Sequence, residues 1–201
     1  MDRQRVLKKI GILLFDDVEL LDFAGPMQVF SALAALYPNL GVEVYNLGLT
    51  ESIVVAKSKL QINGLYTLDS WTDRLDLFLI PGGQGTRAII KSKEQMAAIQ
   101  HILSLSEISS TVCTGSLVLA KTGKLSDKKA TTHFAAIDLL QKIDNTIIVD
   151  RDKRYHDHGD IVVSEGVSAG IDMSLYLVAK YHGQEKADHV RKYIEYFPEV
   201  A

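Results

Sequence analysis

The chain has 201 residues, 47% of them hydrophobic and 23% charged, with a formal net charge of −3. That balance is ordinary for a globular domain and excludes a basic surface built for nucleic acid or an anionic membrane. A single cysteine excludes an internal disulfide framework and a cysteine-rich zinc site.

The length predicts one domain spanning 1–201, large enough for a full core. A lone cysteine suits a reducing compartment, so a cytoplasmic location is expected. The basic start of the chain leads into a short strand-like run broken by Asp16 and Asp17, which is neither the apolar core of a signal peptide nor a membrane span.

In chain order, the continuous apolar run 10–15 predicts a buried parallel strand. Residues 17–26 read as a loop mixing acids and apolar side chains, with Pro26 opening a helix over 27–36 at the first helical position that proline favours. A strand is expected over 42–49 and a small hairpin over 53–55 and 60–62. Residues 75–80 predict a second buried strand that runs into Pro81-Gly82-Gly83-Gln84-Gly85-Thr86. Adjacent glycines there let backbone N–H groups approach a ligand closely. A helical pattern follows over 93–105, then a strand ending at Val112-Cys113-Thr114-Gly115-Ser116, and a helix over 117–121. A strand, turn and helix with a nucleophile at the turn is a nucleophile elbow. Residues 130–134 lead into a helix over 135–140. Strands are expected over 146–149 and 161–164, joined by a polar stretch 150–160. A Gly-rich turn 166–172 then opens a helix over 173–181, and a last helix covers 185–196. Strands alternating with helices imply an α/β sheet covered on both faces.

In such sheets ligands bind beyond the carboxyl ends of the strands, where this sequence collects its unusual residues. Cys113 is the candidate nucleophile, and the start of the next helix favours its thiolate. The N–H groups of Gly83 and Thr114 are candidates for an oxyanion hole. Asp22, between Leu21 and Phe23, is expected in apolar surroundings, which raise a carboxyl pKa. Protonated, it donates a hydrogen bond to Cys113 Sγ; ionised, it repels the thiolate. The two are expected to titrate as a pair. His133 is a weaker candidate on a neighbouring loop. Asp16, Asp17 and Glu19 read as plain loop acids. His156 and His158 read as part of a solvated turn, and no metal is expected there. His182 and His189 read as structural. Phe15, Phe23, Ile80 and Phe134 are candidate pocket walls.

These residues carry a resemblance. The run Leu21-Asp22-Phe23-Ala24-Gly25-Pro26, the Ile80-Pro81-Gly82-Gly83 turn, the Cys113-Thr114-Gly115 elbow, Thr131-Thr132-His133 and Ser168-Ala169-Gly170-Ile171-Asp172, in that order, resemble the DJ-1/PfpI (ThiJ) superfamily, and within it the isonitrile hydratase branch. The resemblance implies a flavodoxin-like, class I glutamine-amidotransferase-like three-layer sandwich with a mostly parallel central sheet. Asp22 stands where the wider superfamily has a glutamate facing the cysteine. Thr114 stands where the protease members have a histidine, which argues against a Cys-His protease. The resemblance also implies substrate-binding or oxyanion roles for Gly82, Gly83, Thr114, His133 and Ser168, with Cys113, Asp22 and Thr114 in the chemistry. It implies water addition to a small isonitrile, no metal or organic cofactor, and a homodimer. The same fold forms the sensor half of AraC-type regulators, but no helix-turn-helix domain is expected in these residues, and no nucleic-acid or membrane partner. Rival readings are glyoxalase-type chemistry on 2-oxoaldehydes and a redox sensor without turnover, since exposed low-pKa cysteines oxidise readily.

Overall fold

The computed structural model describes residues 6–198. Its elements are β1 (Lys9–Leu14), α1 (Leu20–Leu36), β2 (Glu43–Gly48), β3 (Ile53–Val55), β4 (Gln61–Asn63), β5 (Tyr66–Thr67), β6 (Leu75–Ile80), α2 (Thr86–Ile89), α3 (Lys93–Leu105), β7 (Ser106–Thr111) and α4 (Gly115–Lys121). The second half adds β8 (Lys129–Ala130), α5 (Ile137–Ile143), β9 (Ile148–Val149), β10 (Tyr155–Asp157), β11 (Ile161–Ser164), α6 (Ala169–His182) and α7 (Gln184–Tyr193).

Seven strands form the central sheet in the order β10-β11-β7-β6-β1-β2-β5. All pairs are parallel except β10 with β11. The architecture is the expected flavodoxin-like α/β sandwich. Apolar residues of β1 and β6 are buried on both faces of the sheet, with Ile10, Ile12, Leu77 and Leu79 wholly enclosed on one face and Leu13, Phe78 and Ile80 on the other. Strands covered on both sides require this continuous apolar reading. Helices α1, α6 and α7 pack against one another in one layer. From β1 the chain moves first to β2 and later returns to β6 on the other side. The strand order therefore reverses between β1 and β6, and a crevice opens there beyond their carboxyl ends.

Three expectations are corrected. Helix α1 begins at Leu20, not at Pro26, and Pro26 lies inside it. Proline's fixed φ suits a helix; what it lacks is the N–H that would bond the carbonyl of Asp22, four residues earlier. Asp22 is thus fixed in the first helical turn rather than carried on a loop. The polar stretch 150–160 contains a strand, β10, because an antiparallel edge needs pairing on one side only. His156 consequently points inward and is 7% exposed, instead of lying in a solvated turn. Lastly, α6 begins at Ala169, so Asp172 is in its first turn, accepting from Arg154 Nε at 2.6 Å.

Candidate active site

The elbow is built by steric necessity. Val112 still pairs with the sheet, its N–H donating to Ile80 O at 3.1 Å, and Gly115 N–H closes the turn on Val112 O at 2.9 Å. Between them Cys113 adopts φ +58, a left-handed conformation that costs about 1–2 kcal/mol for a residue with a side chain. Gly115 is required, since a Cβ there would lie 2.0 Å from Ile80 O. The Cys113 backbone is clamped from both sides: its N–H donates to Glu165 O at 2.9 Å, and its carbonyl accepts from Thr132 Oγ1 at 2.9 Å and Ser116 Oγ at 3.0 Å.

Asp22 reaches the same point from α1. It is wholly buried. Oδ2 accepts the Gly82 N–H at 2.9 Å, Oδ1 is buried without a hydrogen-bond partner, and the carboxyl lies beside the Cys113 thiol. Gly82 permits the approach, because a Cβ there would stand 2.5 Å from Thr114 N and 2.7 Å from Asp22 Oδ2. Burial raises the Asp22 pKa to about 6, against the opposing pull of the Cys113 thiol and the Gly82 N–H. Burial, then the adjacent Asp22 charge, pushes the Cys113 thiol up to about 12, although the Thr114 and Val167 N–H groups favour its anion. The expected thiolate-favouring effect of the turn exists but is outweighed. The pair therefore holds a single proton across the neutral range.

Thr114 does not donate its hydroxyl to this centre. Its Oγ1 accepts from Gly83 N at 2.9 Å and donates to Gly83 O at 3.1 Å. The Gly83 N–H, expected to serve an oxyanion hole, is thereby occupied, as is the Gly82 N–H. The N–H groups that favour a charge on Sγ are those of Thr114 and Val167. Val167 has φ +50, rare for a β-branched residue, and this twist turns its N–H inward.

Cys113 opens into a cavity of about 140 Å³. Gly83, Thr114 and His133 line it with Cys113, so four of the expected residues meet there. His133 Nδ1 accepts from Ala135 N at 3.2 Å, and Gly166 lies against the ring, where a Cβ would come 2.7 Å from His133 Cδ2. Ser168 does not line the cavity: it is exposed and accepts from Arg154 Nη2 at 3.1 Å. The proposed aromatic walls do not line it either. Phe15 lines a neighbouring hollow, and Phe134 is 81% exposed.

The sequence reading missed Glu19, Lys57, Gln84, Arg87 and Val167, which with Ala135 complete the lining. Lys57 arrives because the β3–β4 hairpin docks on the loop after β1: Asp17 N donates to Val55 O at 2.8 Å, and Lys57 N to Val18 O at 3.0 Å. Glu19, taken for a plain loop acid, accepts from Lys57 Nζ at 2.9 Å. Among the described residues no cluster of three or more His, Cys, Asp or Glu side chains could hold a metal, and no helix is long and apolar enough to cross a membrane.

Known proteins resemble this chain in sequence and in fold. An isonitrile hydratase from Pseudomonas putida is 33% identical over 190 residues, covering 94% of this chain and 79% of that protein. The regulator CdhR of Pseudomonas aeruginosa is 30% identical over 140 residues, 68% of this chain but 40% of its own length. Among solved structures, a ThiJ/PfpI family protein from Pseudomonas syringae superposes with a TM-score of 0.84 at 25% identity, over 96% of this chain and 77% of that one. Drosophila melanogaster DJ-1beta superposes at 0.81 with 22% identity, over 96% and 100%, a likeness of fold. Residues 8–180 match the DJ-1/PfpI family, and the chain belongs to it.

Proposed function

We propose that this protein hydrates small isonitriles to N-substituted formamides, with Cys113 as nucleophile and Asp22 as proton donor and acceptor. The observation that carries the reading is the wholly buried Asp22 carboxyl beside the Cys113 thiol, where Cys113 opens on a small cavity. A relative named isonitrile hydratase over nearly the whole chain supports it.

The shared proton gives the pair two forms, Asp22 carboxylate with thiol and Asp22 acid with thiolate. In the second form Sγ attacks the terminal carbon of R–N≡C. Asp22 gives its proton to that carbon, and a thioimidate, R–N=CH–S, forms on Cys113. The Asp22 carboxylate then takes a proton from water as the water oxygen adds to the same carbon. The remaining water proton passes to nitrogen. The tetrahedral adduct collapses, the C–S bond breaks, and R–NH–CHO leaves with the pair again holding one proton. The Thr114 and Val167 N–H groups stabilise the thiolate when it attacks and when it departs. The scheme needs no metal or organic cofactor. Gly82 acts by fixing Asp22, Thr114 by fixing Gly83, and His133 as a wall of the substrate cavity. A homodimer in the cytoplasm is part of the same proposal.

The test is formation of N-substituted formamide from a panel of alkyl and aryl isonitriles by the wild type and by Cys113→Ala. Turnover by the wild type alone is the expected result. Full turnover by Cys113→Ala would overturn the assignment of the nucleophile.

A further inference from the structure

The mouth of the cavity presents more hydrogen-bond donors than its own acceptors use. Lys57 is committed to Glu19 at 2.9 Å. Arg87 is half-buried and lines the same mouth. The one hydrogen bond of its guanidinium among the described residues runs from Nη1 to Gly83 O and is long, at 3.4 Å. That carbonyl already accepts from the Thr86 and Thr114 hydroxyls at 2.8 and 3.1 Å. Arg87 takes part in none of the ion pairs among the described residues. His133 adds a further donor: with Nδ1 accepting from Ala135, the neutral ring carries its hydrogen on Nε2. The mouth's one carboxylate, Glu19, is the one Lys57 has engaged. The cavity, about 140 Å³, suits a compact molecule.

The geometry points to Arg87 as a carboxylate-binding residue, and to short 2-isocyano carboxylates as the substrate class. The isonitrile end rests on the hydratase reading; the carboxylate end rests on the donor set at the mouth. A planar guanidinium meets a carboxylate through two parallel N–H donors, and a half-buried pair is screened less than an exposed one. The substrate then lies with its isonitrile carbon at Cys113 Sγ and its carboxylate at Arg87. The Asp22–Cys113 pair beneath is itself anionic and disfavours an anion, so any preference for one must arise at the mouth.

Alkylation of Cys113 tests the mouth without isonitrile chemistry. Iodoacetate and iodoacetamide differ in charge and hardly in size, and in both Sγ displaces iodide from the same carbon. The ratio of their rates on wild type is compared with the ratio on 2-mercaptoethanol. A ratio about tenfold higher on the protein is expected from one charge-assisted contact, falling to the free-thiol value in Arg87→Gln and largely kept in Arg87→Lys. A wild-type ratio at or below the free-thiol value, or one unchanged in Arg87→Gln, overturns the proposal. In parallel, kcat/KM is measured for isocyanoacetate and ethyl isocyanide, with the acid expected to be preferred through a lower KM and Arg87→Gln expected to erase that preference. If neither isonitrile turns over while the alkylation ratio holds, the hydratase reading fails and the carboxylate site stands. If both turn over without preference and the ratio is that of a free thiol, the reverse is true.

Discussion

Asp22 and Cys113 meet as a buried acid–thiol pair, brought together from a helix after β1 and an elbow after β7, with Gly82 N–H fixing the carboxyl at 2.9 Å. Neither group is in its ordinary state. Burial lifts the acid to about 6, and burial with the acid's charge lifts the thiol to about 12.

The first consequence is a pH dependence. Between those two values the pair carries one proton, which is the form the reaction needs. As pH falls through about 6 a second proton binds and the thiolate form vanishes. A pH profile of kcat/KM is expected to fall tenfold per unit on the acid side, as for loss of one essential ionisation. A flat profile down to pH 4 would exclude the pair as the reacting group.

The second concerns stability. The folded-state pKa of Asp22 is raised from 3.8 to about 6, so its contribution is present below 3.8 and lost as pH rises through about 6. A shift of this size is worth about 3 kcal/mol at most. Urea denaturation of the wild type and Asp22→Asn across that window is expected to show the wild type losing stability relative to the variant as pH rises. Parallel curves would contradict the burial of an ionising Asp22.

The third concerns the elbow. With a Cβ placed 2.0 Å from Ile80 O, Gly115→Ala has to displace strand backbone. A loss of about 3 kcal/mol or more is expected, read as a fall in Tm, and a Tm within two degrees of the wild type would show a looser turn than the one described.

A fourth follows from Thr114 Oγ1, which satisfies the Gly83 N–H at 2.9 Å. Thr114→Val keeps the shape and orphans that donor, costing about 1–3 kcal/mol. Chemical denaturation checks it, and Thr114→Ser is expected to restore most of the loss.

What the sequence made legible followed from local chemistry. Buried strands announced themselves as unbroken apolar runs at 10–15 and 75–80. Cys113, Gly82 and Gly83 were visible because each follows such a strand or its neighbour, where α/β sheets bind ligands. Asp22 was visible as an acid among apolar residues, though not as part of a helix, because Pro26 looks like a helix start until its neighbours are seen to pack. Lys57 and Arg87 were not legible. Lys57 reaches the site only because a hairpin docks on a loop far back in the chain, and no periodicity encodes that docking. Arg87 is one arginine after a turn, and its lack of an ion pair among the described residues is a tertiary fact. Val167 contributes a backbone N–H, which any residue type has, so its identity carried no signal. The inward turn of His156 depended on the antiparallel pairing of β10, which a polar stretch does not advertise.

The central claim is that Asp22 moves the proton and does not simply tune the thiol, and Asp22→Asn separates the two roles. Removing the carboxylate charge lowers the Cys113 pKa from about 12, so alkylation by iodoacetamide at pH 8 is expected to quicken. Formamide production by the same variant is expected to fall by about 10²–10⁴-fold, the usual cost of losing a positioned acid–base group. Asp22→Asn turning over isonitrile at a rate near the wild type's, with its thiol equally or more reactive, would contradict the account.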